Sequence, residues 1–303
     1  MADLNYDQRE KIYEERGLSV YKRDDMIQRA RFKLSVQEQR AVLYAISKIK
    51  PEDKAFNEYI FEIKDFYNLC GIEDKSYTRL KAILKGLADK SWWATIDDKG
   101  TESVVRWFST VRTNKKSGKV IIKFHEDMMP FLLDLAEQQK YFTSYNLKYI
   151  LAMSSKHSPR LYEILKSYQK NNNQWFFEIE TLKKLMDCEN YKRWPDFRRY
   201  ALEPAVEEIN KYTDICITYN VKKEGRKITR VVFYMDDKTG HELAAAGHEI
   251  IEVLDGQIDI FALLEEDEGR QFLRNRYNIH EQEKQRIEEQ KRNIKKGWLD
   301  PEE

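Results

Sequence analysis

YIFEIKDF at residues 59–66 and WFFEIETL at residues 175–182 are one pattern written twice, with Phe61-Glu62-Ile63 opposite Phe177-Glu178-Ile179 at an offset of 116. A repeat of this kind decides the architecture, because each copy is one folding unit. After each copy come a short helical pattern, a polar turn, a longer helical pattern and a two-stranded segment with a basic tip. In the first copy a strand near 59–63 leads into a helix at about 64–71, closed by Gly71 after Cys70. The turn IEDKS precedes a helix over about 77–90, in which Leu80, Ile83, Leu84 and Leu87 recur at three- and four-residue spacing and bury one face. Lys75, Arg79, Lys81 and Lys85 lie largely off that face. SWWATIDD and VVRWFSTVRTNKKSGKVIIKF supply strands, the last two joined by a tip that carries Lys115, Lys116 and Lys119.

The second copy repeats the plan with a strand at 175–179, a helix at about 180–187, the turn CENYKRW and a helix opening near Pro195, where a missing N–H costs nothing. Phe197, Ala201, Val206 and Ile209 give this helix an apolar face, and Lys192, Arg193, Arg198 and Arg199 cluster at its start, beside Asp196. Pro204 should kink or split it, since proline removes a backbone bond and crowds the preceding turn. TDICITYNV and ITRVVFYM then flank KKEGRK, with Lys222, Lys223, Arg226 and Lys227 at the tip.

Helix, turn, helix and a basic hairpin describe a winged helix. Its second helix fits the B-DNA major groove, about 12 Å wide, and the hairpin carries cations to flanking phosphates. The expected fold class is α+β: two tandem winged-helix domains, 20–140 and 141–238, joined by a long helical linker, with a charged C-terminal extension at 239–303. One basic tip is an ordinary solvated turn. Two at equivalent positions of a repeat, each after a helix with exposed cations, favour contact with double-stranded DNA. Trp92, Trp93, Trp107 and Trp175 fall in strand-like contexts and read as core, not as base-stacking platforms.

Charge agrees once it is divided along the chain. The 303 residues carry a net charge of +1, but residues 239–303 hold 9 basic and 16 acidic side chains, which leaves +8 on residues 1–238. Cys70, Cys188 and Cys216 are too scattered for a disulfide framework or a zinc site and read as reduced, mostly buried thiols, and the five histidines form no HxxxH pair. No metal or cofactor is expected. No apolar run reaches the roughly 18 residues of a membrane span, and the polar N-terminus is unlike a signal peptide, so the expectation is a cytoplasmic protein with no membrane contact. A nickase would need paired histidines beside a tyrosine, and an ATP-driven helicase would need GxxxxGK[ST]; the chain has neither, and no catalytic residue is assigned.

In the connecting segments, Ser35-Val36-Gln37-Glu38 is a capping box before a helix with Val42, Leu43, Ile46 and Ile49 on its apolar stripe, ended by Pro51. Residues 126–170 read as helical with a break at SSKHSP. Ser154, Ser155, Lys156 and Arg160 at the following helix start are phosphate candidates, although ordinary capping explains the serines equally well. The segment after 239 reads as an appendage without an assignable role.

LSVQEQRAVLYAISKIKP at 34–51, SSKHSPRLYEILKSY at 154–168, FFEIETLKKLM at 176–186 and FRRYALEPAVEEINKYTDICITYNVKKEGRKITRVVF at 197–233 resemble the iteron-binding, RepB-type initiator proteins of plasmids. The likeness covers roughly residues 20–236. It departs at Asp24-Asp25, where the family often has an asparagine. The resemblance implies a C-terminal winged helix that reads a repeated origin sequence and an N-terminal one that contacts DNA and mediates dimerisation. It also implies a monomer that opens the origin and recruits host replication initiator and helicase proteins, and a dimer that represses its own gene. Carried over by position, Arg193, Asp196, Arg198 and Arg199 become the base or phosphate contacts and Lys222, Lys223, Arg226 and Lys227 the wing contacts. A winged-helix repressor without initiator activity remains the alternative.

Overall fold

Glu62 and Glu178 are extended residues at which a strand turns directly into a seven-residue helix, and the chain does this twice in the same way. The computed structural model describes residues 6–50, 53–72, 75–95, 99–135, 141–170 and 172–255. Lys11–Gly256 form one compact unit, to which all packing below belongs; residues 6–10 fall in a second and are described only as the start of a helix.

The chain opens with α1 (Tyr6–Arg16), β1 (Ser19–Arg23), α2 (Asp24–Arg29) and α3 (Val36–Ile46). The capping box of α3 forms: the Ser35 N–H donates to the Glu38 carboxylate at 2.8 Å, and Ser35 Oγ accepts from the Glu38 N–H at 3.4 Å. The first winged helix then comprises β2 (Tyr59–Glu62), α4 (Ile63–Leu69), α5 (Tyr77–Asp89), β3 (Ser91–Thr95), β4 (Glu102–Arg106), β5 (Phe108–Asn114) and β6 (Lys119–Phe124). After a 3-10 turn at Glu126–Met128 come α6 (Met129–Leu132), β7 (Phe142–Asn146), α7 (Leu147–Ala152) and α8 (Ser158–Gln169). The second winged helix has β8 (Gln174–Glu178), α9 (Ile179–Leu185), α10 (Trp194–Phe197), α11 (Glu203–Tyr212), β9 (Ile215–Glu224) and β10 (Lys227–Asp237), followed by α12 (Gly240–Asp255).

The two units share one topology, an antiparallel sheet ordered β2-β6-β5 in the first and β8-β10-β9 in the second. They match down to the helix caps. At α4 the Ile72 N–H donates to Tyr67 O and the Gly71 N–H to Asn68 O; at α9 the Cys188 N–H donates to Lys183 O and the Asp187 N–H to Lys184 O. Both pairs are Schellman caps, and their left-handed residues, Gly71 at φ 64° and Asp187 at φ 52°, stand 116 positions apart. The units differ by the β3–β4 hairpin, inserted in the first between α5 and the wing.

Leu80, Leu84 and Leu87 of α5 are buried as their spacing requires, each contributing about 1.5–3 kcal/mol of transfer free energy. Trp92 and Trp107 pack into the core with Phe32. Trp93 does not: it is 53% exposed. Neighbouring strand residues face opposite sides, and β3–β4 is a two-stranded sheet that buries one side only.

The connecting segment also differs from a mainly helical reading. β7 lies within it and pairs antiparallel with β1, Ser19 opposite Asn146 through Arg23 opposite Phe142. Behind this ribbon lies a buried ionic cluster: the Lys22 ammonium pairs with Glu163, which also accepts from the Tyr145 hydroxyl, and the Arg160 guanidinium is buried beside them. Beyond 239 the sequence reading placed an appendage, yet Gly240–Asp255 form a helix that packs on α7 and α11 through Ala246, Ile250 and Leu254. These residues recur at four-residue spacing, a one-sided apolar stripe that needs a partner. The rest of the charged tail lies outside the described residues.

Candidate nucleic-acid interface

The long helix of the second unit is continuous in the chain from α10 to α11, joined by a π-helical turn at Arg198–Leu202. The Glu203 N–H donates to Arg198 O, five residues back. Pro204 follows at once. Its ring would crowd the carbonyl four residues earlier in a regular helix, and the wider π turn absorbs the conflict that the sequence predicts as a kink. Phe197, Ala201, Ala205 and Ile209 face the core. Arg198, Arg199 and Tyr200 are left exposed on the widened turn.

Polar contacts fix this helix to its wing. The Asn210 side chain accepts from the Ile217 N–H at 2.6 Å and donates to Ile217 O at 2.9 Å. The wing closes through a two-residue loop whose first member, Gly225 at φ 60°, supplies the positive φ that a tight hairpin turn demands. Lys222, Lys223, Arg226 and Lys227 are all exposed around it.

The cations divide into two groups. Arg193 grips Asp196 with two hydrogen bonds of 2.8 and 3.0 Å, and Arg198 pairs with Glu203 at 2.6 Å. Hydrogen bonds to Glu203 and Tyr219 raise the Arg198 guanidinium further above its ordinary value, and the bond to Asp196 does the same for Arg193. Among the described residues no carboxylate lies within ion-pair distance of Lys192, Arg199, Lys222, Lys223, Arg226 or Lys227. These six leave an open basic surface at the helix start and the wing tip. Arg198 and Arg193 would have to exchange a partner to reach DNA.

One residue on this surface was not singled out by the sequence. Tyr200 is 55% exposed, stacks on Tyr191 with ring centroids 6.4 Å apart and lies under the Arg199 guanidinium at 5.4 Å. Its signal was positional: it falls off the 197, 201, 205, 209 apolar stripe.

In the first unit the equivalents are also exposed. Lys75, Arg79 and Lys81 are exposed at α5, and Lys115, Lys116 and Lys119 at the β5–β6 tip, where Asn114 Oδ1 accepts from the N–H groups of Lys116 and Ser117. The Tyr77 and Thr113 hydroxyls, 2.9 Å apart, tie helix to wing.

The expected phosphate site at the start of α8 is not open. The Glu208 carboxylate of α11 already accepts from the Ser154 and Ser155 N–H groups at 2.9 and 3.1 Å and from Ser154 Oγ at 2.6 Å. Arg160, expected to contact phosphate, is 4% exposed. It donates to Leu185 O and Ala30 O and covers the Phe32 ring, so its charge holds the interior together and does not face solvent. Lys156 is exposed but sits 3.7 Å from Asp187. The nearby His157 and Cys188 side chains touch at 3.3 Å, with the thiol pushed up to about 12 by burial and the imidazole lowered by burial. A thiol held protonated is a packing group, not a nucleophile. Among the described residues no three His, Cys, Asp or Glu side chains gather as a metal site, and no helix is long and apolar enough to cross a membrane.

Two family models match this chain, the Initiator Replication protein WH1 model over residues 19–166 and the Initiator Rep protein WH2 model over residues 178–235. The chain belongs to the initiator replication protein family. The curated PI protein of Escherichia coli is 25% identical over 146 residues, 43% of this chain and 47% of that protein, so the match spans about half of this relative's length. A solved structure described as the Pi initiator protein in complex with iteron DNA superposes with a TM-score of 0.62 at 21% identity, covering 74% of this chain and 99% of the other. That likeness confirms two winged helices in tandem, as the duplicated pattern at 59 and 175 implies. The first unit and most of the second fall inside the matched regions, while most of β8, α1 and α12 fall outside them.

Proposed function

We propose that this chain is a plasmid replication initiator that binds directly repeated origin DNA in a sequence-specific manner. The observation that carries the reading is the open basic surface of the second unit, in a chain of the initiator family whose structural relative is described with iteron DNA. Arg199 and Tyr200, on the exposed face of the long helix, are the base-contacting candidates, with Arg193 and Asp196 beside them. Lys192, Lys222, Lys223, Arg226 and Lys227 serve phosphates. The first unit adds Lys75, Arg79, Lys81, Lys115, Lys116 and Lys119 as backbone contacts and is the place of self-association. The initiator opens the origin as a monomer and recruits host initiator and helicase proteins, and its dimer represses its own gene. The test is a fluorescence titration with duplexes cut from the DNA that flanks the gene, direct repeats in it against scrambled controls, beside a transformation assay on a replicon lacking any other origin. Repeat-specific binding with transformants is the expected result. Specific binding without transformants would reassign the chain to repression, and no preference for the repeats would overturn DNA reading altogether.

A further inference from the structure

The last turn of α12 ends in a buried ionic lock. The Asp255 carboxylate, 0% exposed, pairs with Arg16 Nη1 at 2.6 Å and accepts from the Tyr13 hydroxyl. The remaining Arg16 nitrogens donate to Leu69 O at 2.9 Å and Asn68 O at 3.0 Å, carbonyls in the last turn of α4. At its other side α12 packs on α11, and Lys211 pairs with Glu249 at 2.8 Å. One helix thus holds the second unit's long helix and the first unit's short one. The duplicated caps carry the mark of this contact. A Cβ at Gly71 would lie 2.2 Å from the Leu254 carbonyl oxygen, whereas the equivalent position in the second unit is Asp187, where a side chain is accommodated.

We propose that Asp255 and Gly71 are positioning residues: α12, locked onto Arg16 and seated on Gly71, is a strap that fixes the angle between the two winged helices. Both units are then presented to one DNA site in a preset relation, and the ordering cost of aligning them is met before binding. The DNA part of this inference rests on the repeat-binding reading above; the strap itself does not. The experiment uses the full chain with spin labels at the two wing tips, Lys116→Cys and Lys223→Cys, in a Cys216→Ser background. Pulsed dipolar distances should be narrowly distributed in the parent and Asp255→Glu, broader in Tyr13→Phe and broadest in Asp255→Ala. On a duplex covering the whole repeat, Asp255→Ala should bind roughly tenfold more weakly, with little change on a duplex trimmed to the segment protected by the second unit. Unchanged distance widths in Tyr13→Phe and Asp255→Ala would overturn the strap. Loss of binding to both duplexes in equal measure would show a purely structural role, and a parent that ignores the repeats would refute the repeat-binding reading and leave the strap standing on its distances.

Discussion

Glu163→Ala is expected to be among the most damaging substitutions in this protein, and the reason can be worked from the cluster around it. Lys22 is 2% exposed, and its ammonium has Glu163 as its partner. Burial holds Lys22 below its ordinary value, with Glu163 pulling it back up; the same burial pushes Arg160 down to about 10. Removing the carboxylate strands a buried cation and the Tyr145 hydroxyl, a loss of about 3–5 kcal/mol in systems of this kind. Against a domain stability of roughly 5–15 kcal/mol, that is a large share. Equilibrium urea unfolding followed by circular dichroism measures it. Asp89→Ala, which breaks the exposed Lys85 pair, is the control and should cost at most about 1 kcal/mol. Replacing both partners, Lys22→Met with Glu163→Leu, should recover most of the loss, because the penalty belongs to the unpaired charge and not to the absent bridge. The single Glu163→Ala variant, which keeps Lys22, should also gain stability as pH rises towards 10.5: the folded Lys22 value lies below the unfolded one, so the unfolded chain binds more protons in that window. A Glu163→Ala loss no larger than that of Asp89→Ala would refute this account.

Three further outcomes follow from the geometry. Arg199→Ala should weaken repeat binding by roughly 5- to 150-fold and relax discrimination at one base position, whereas Lys223→Ala should weaken all sequences alike and reduce the salt slope by about one, both read by titration across salt concentrations. Burial holds the Cys70 thiol at about 11 and Cys188 at about 12, above their unfolded values, so their contribution is complete below pH 9 and is lost as pH rises through 11–12. A Cys70→Ala/Cys188→Ala variant should therefore lose less stability than the parent between pH 9 and 10.5. Gly71→Ala should destabilise by more than about 2 kcal/mol, since positive φ and the Leu254 contact act together, while Asp187→Gly should be neutral or stabilising by up to about 1 kcal/mol, as thermal melts would report.

The sequence carries the fold because a winged helix is written in local signals. The short helices, the Gly71 cap, the Ser35 box and the two basic tips each depend on neighbours within a few residues, so periodicity and turn chemistry locate them. The β1–β7 ribbon joins residues more than a hundred positions apart, and no local pattern marks Phe142–Asn146 as a strand. Arg160 illustrates the same limit at the level of a site. Its place near a helix start reads as a phosphate contact, but the carbonyls of Ala30 and Leu185 that enclose it come from distant parts of the chain. Glu208 likewise fills the Ser154–Ser155 cradle from 53–54 positions away.

The duplication also explains why two copies of one fold need not do the same work. In the second unit β9 follows the long helix almost directly, and Asn210 ties that helix to the base of the wing at Ile217. In the first unit the β3–β4 hairpin is inserted between helix and wing in the sequence, Tyr77 and Thr113 still tie the two together, and the hairpin presents Trp93 and Val104, cross-strand partners that are both exposed. Reading base edges needs exposed polar side chains on the long helix, and the π turn leaves Arg199 and Tyr200 exposed in the second unit. An exposed aromatic and aliphatic pair on a two-stranded sheet costs solubility unless a partner covers it, which suits the copy proposed for self-association. The two units are therefore divided by what each was given beyond the shared fold: a π turn that opens Arg199 and Tyr200 in one, and a hairpin that opens Trp93 in the other.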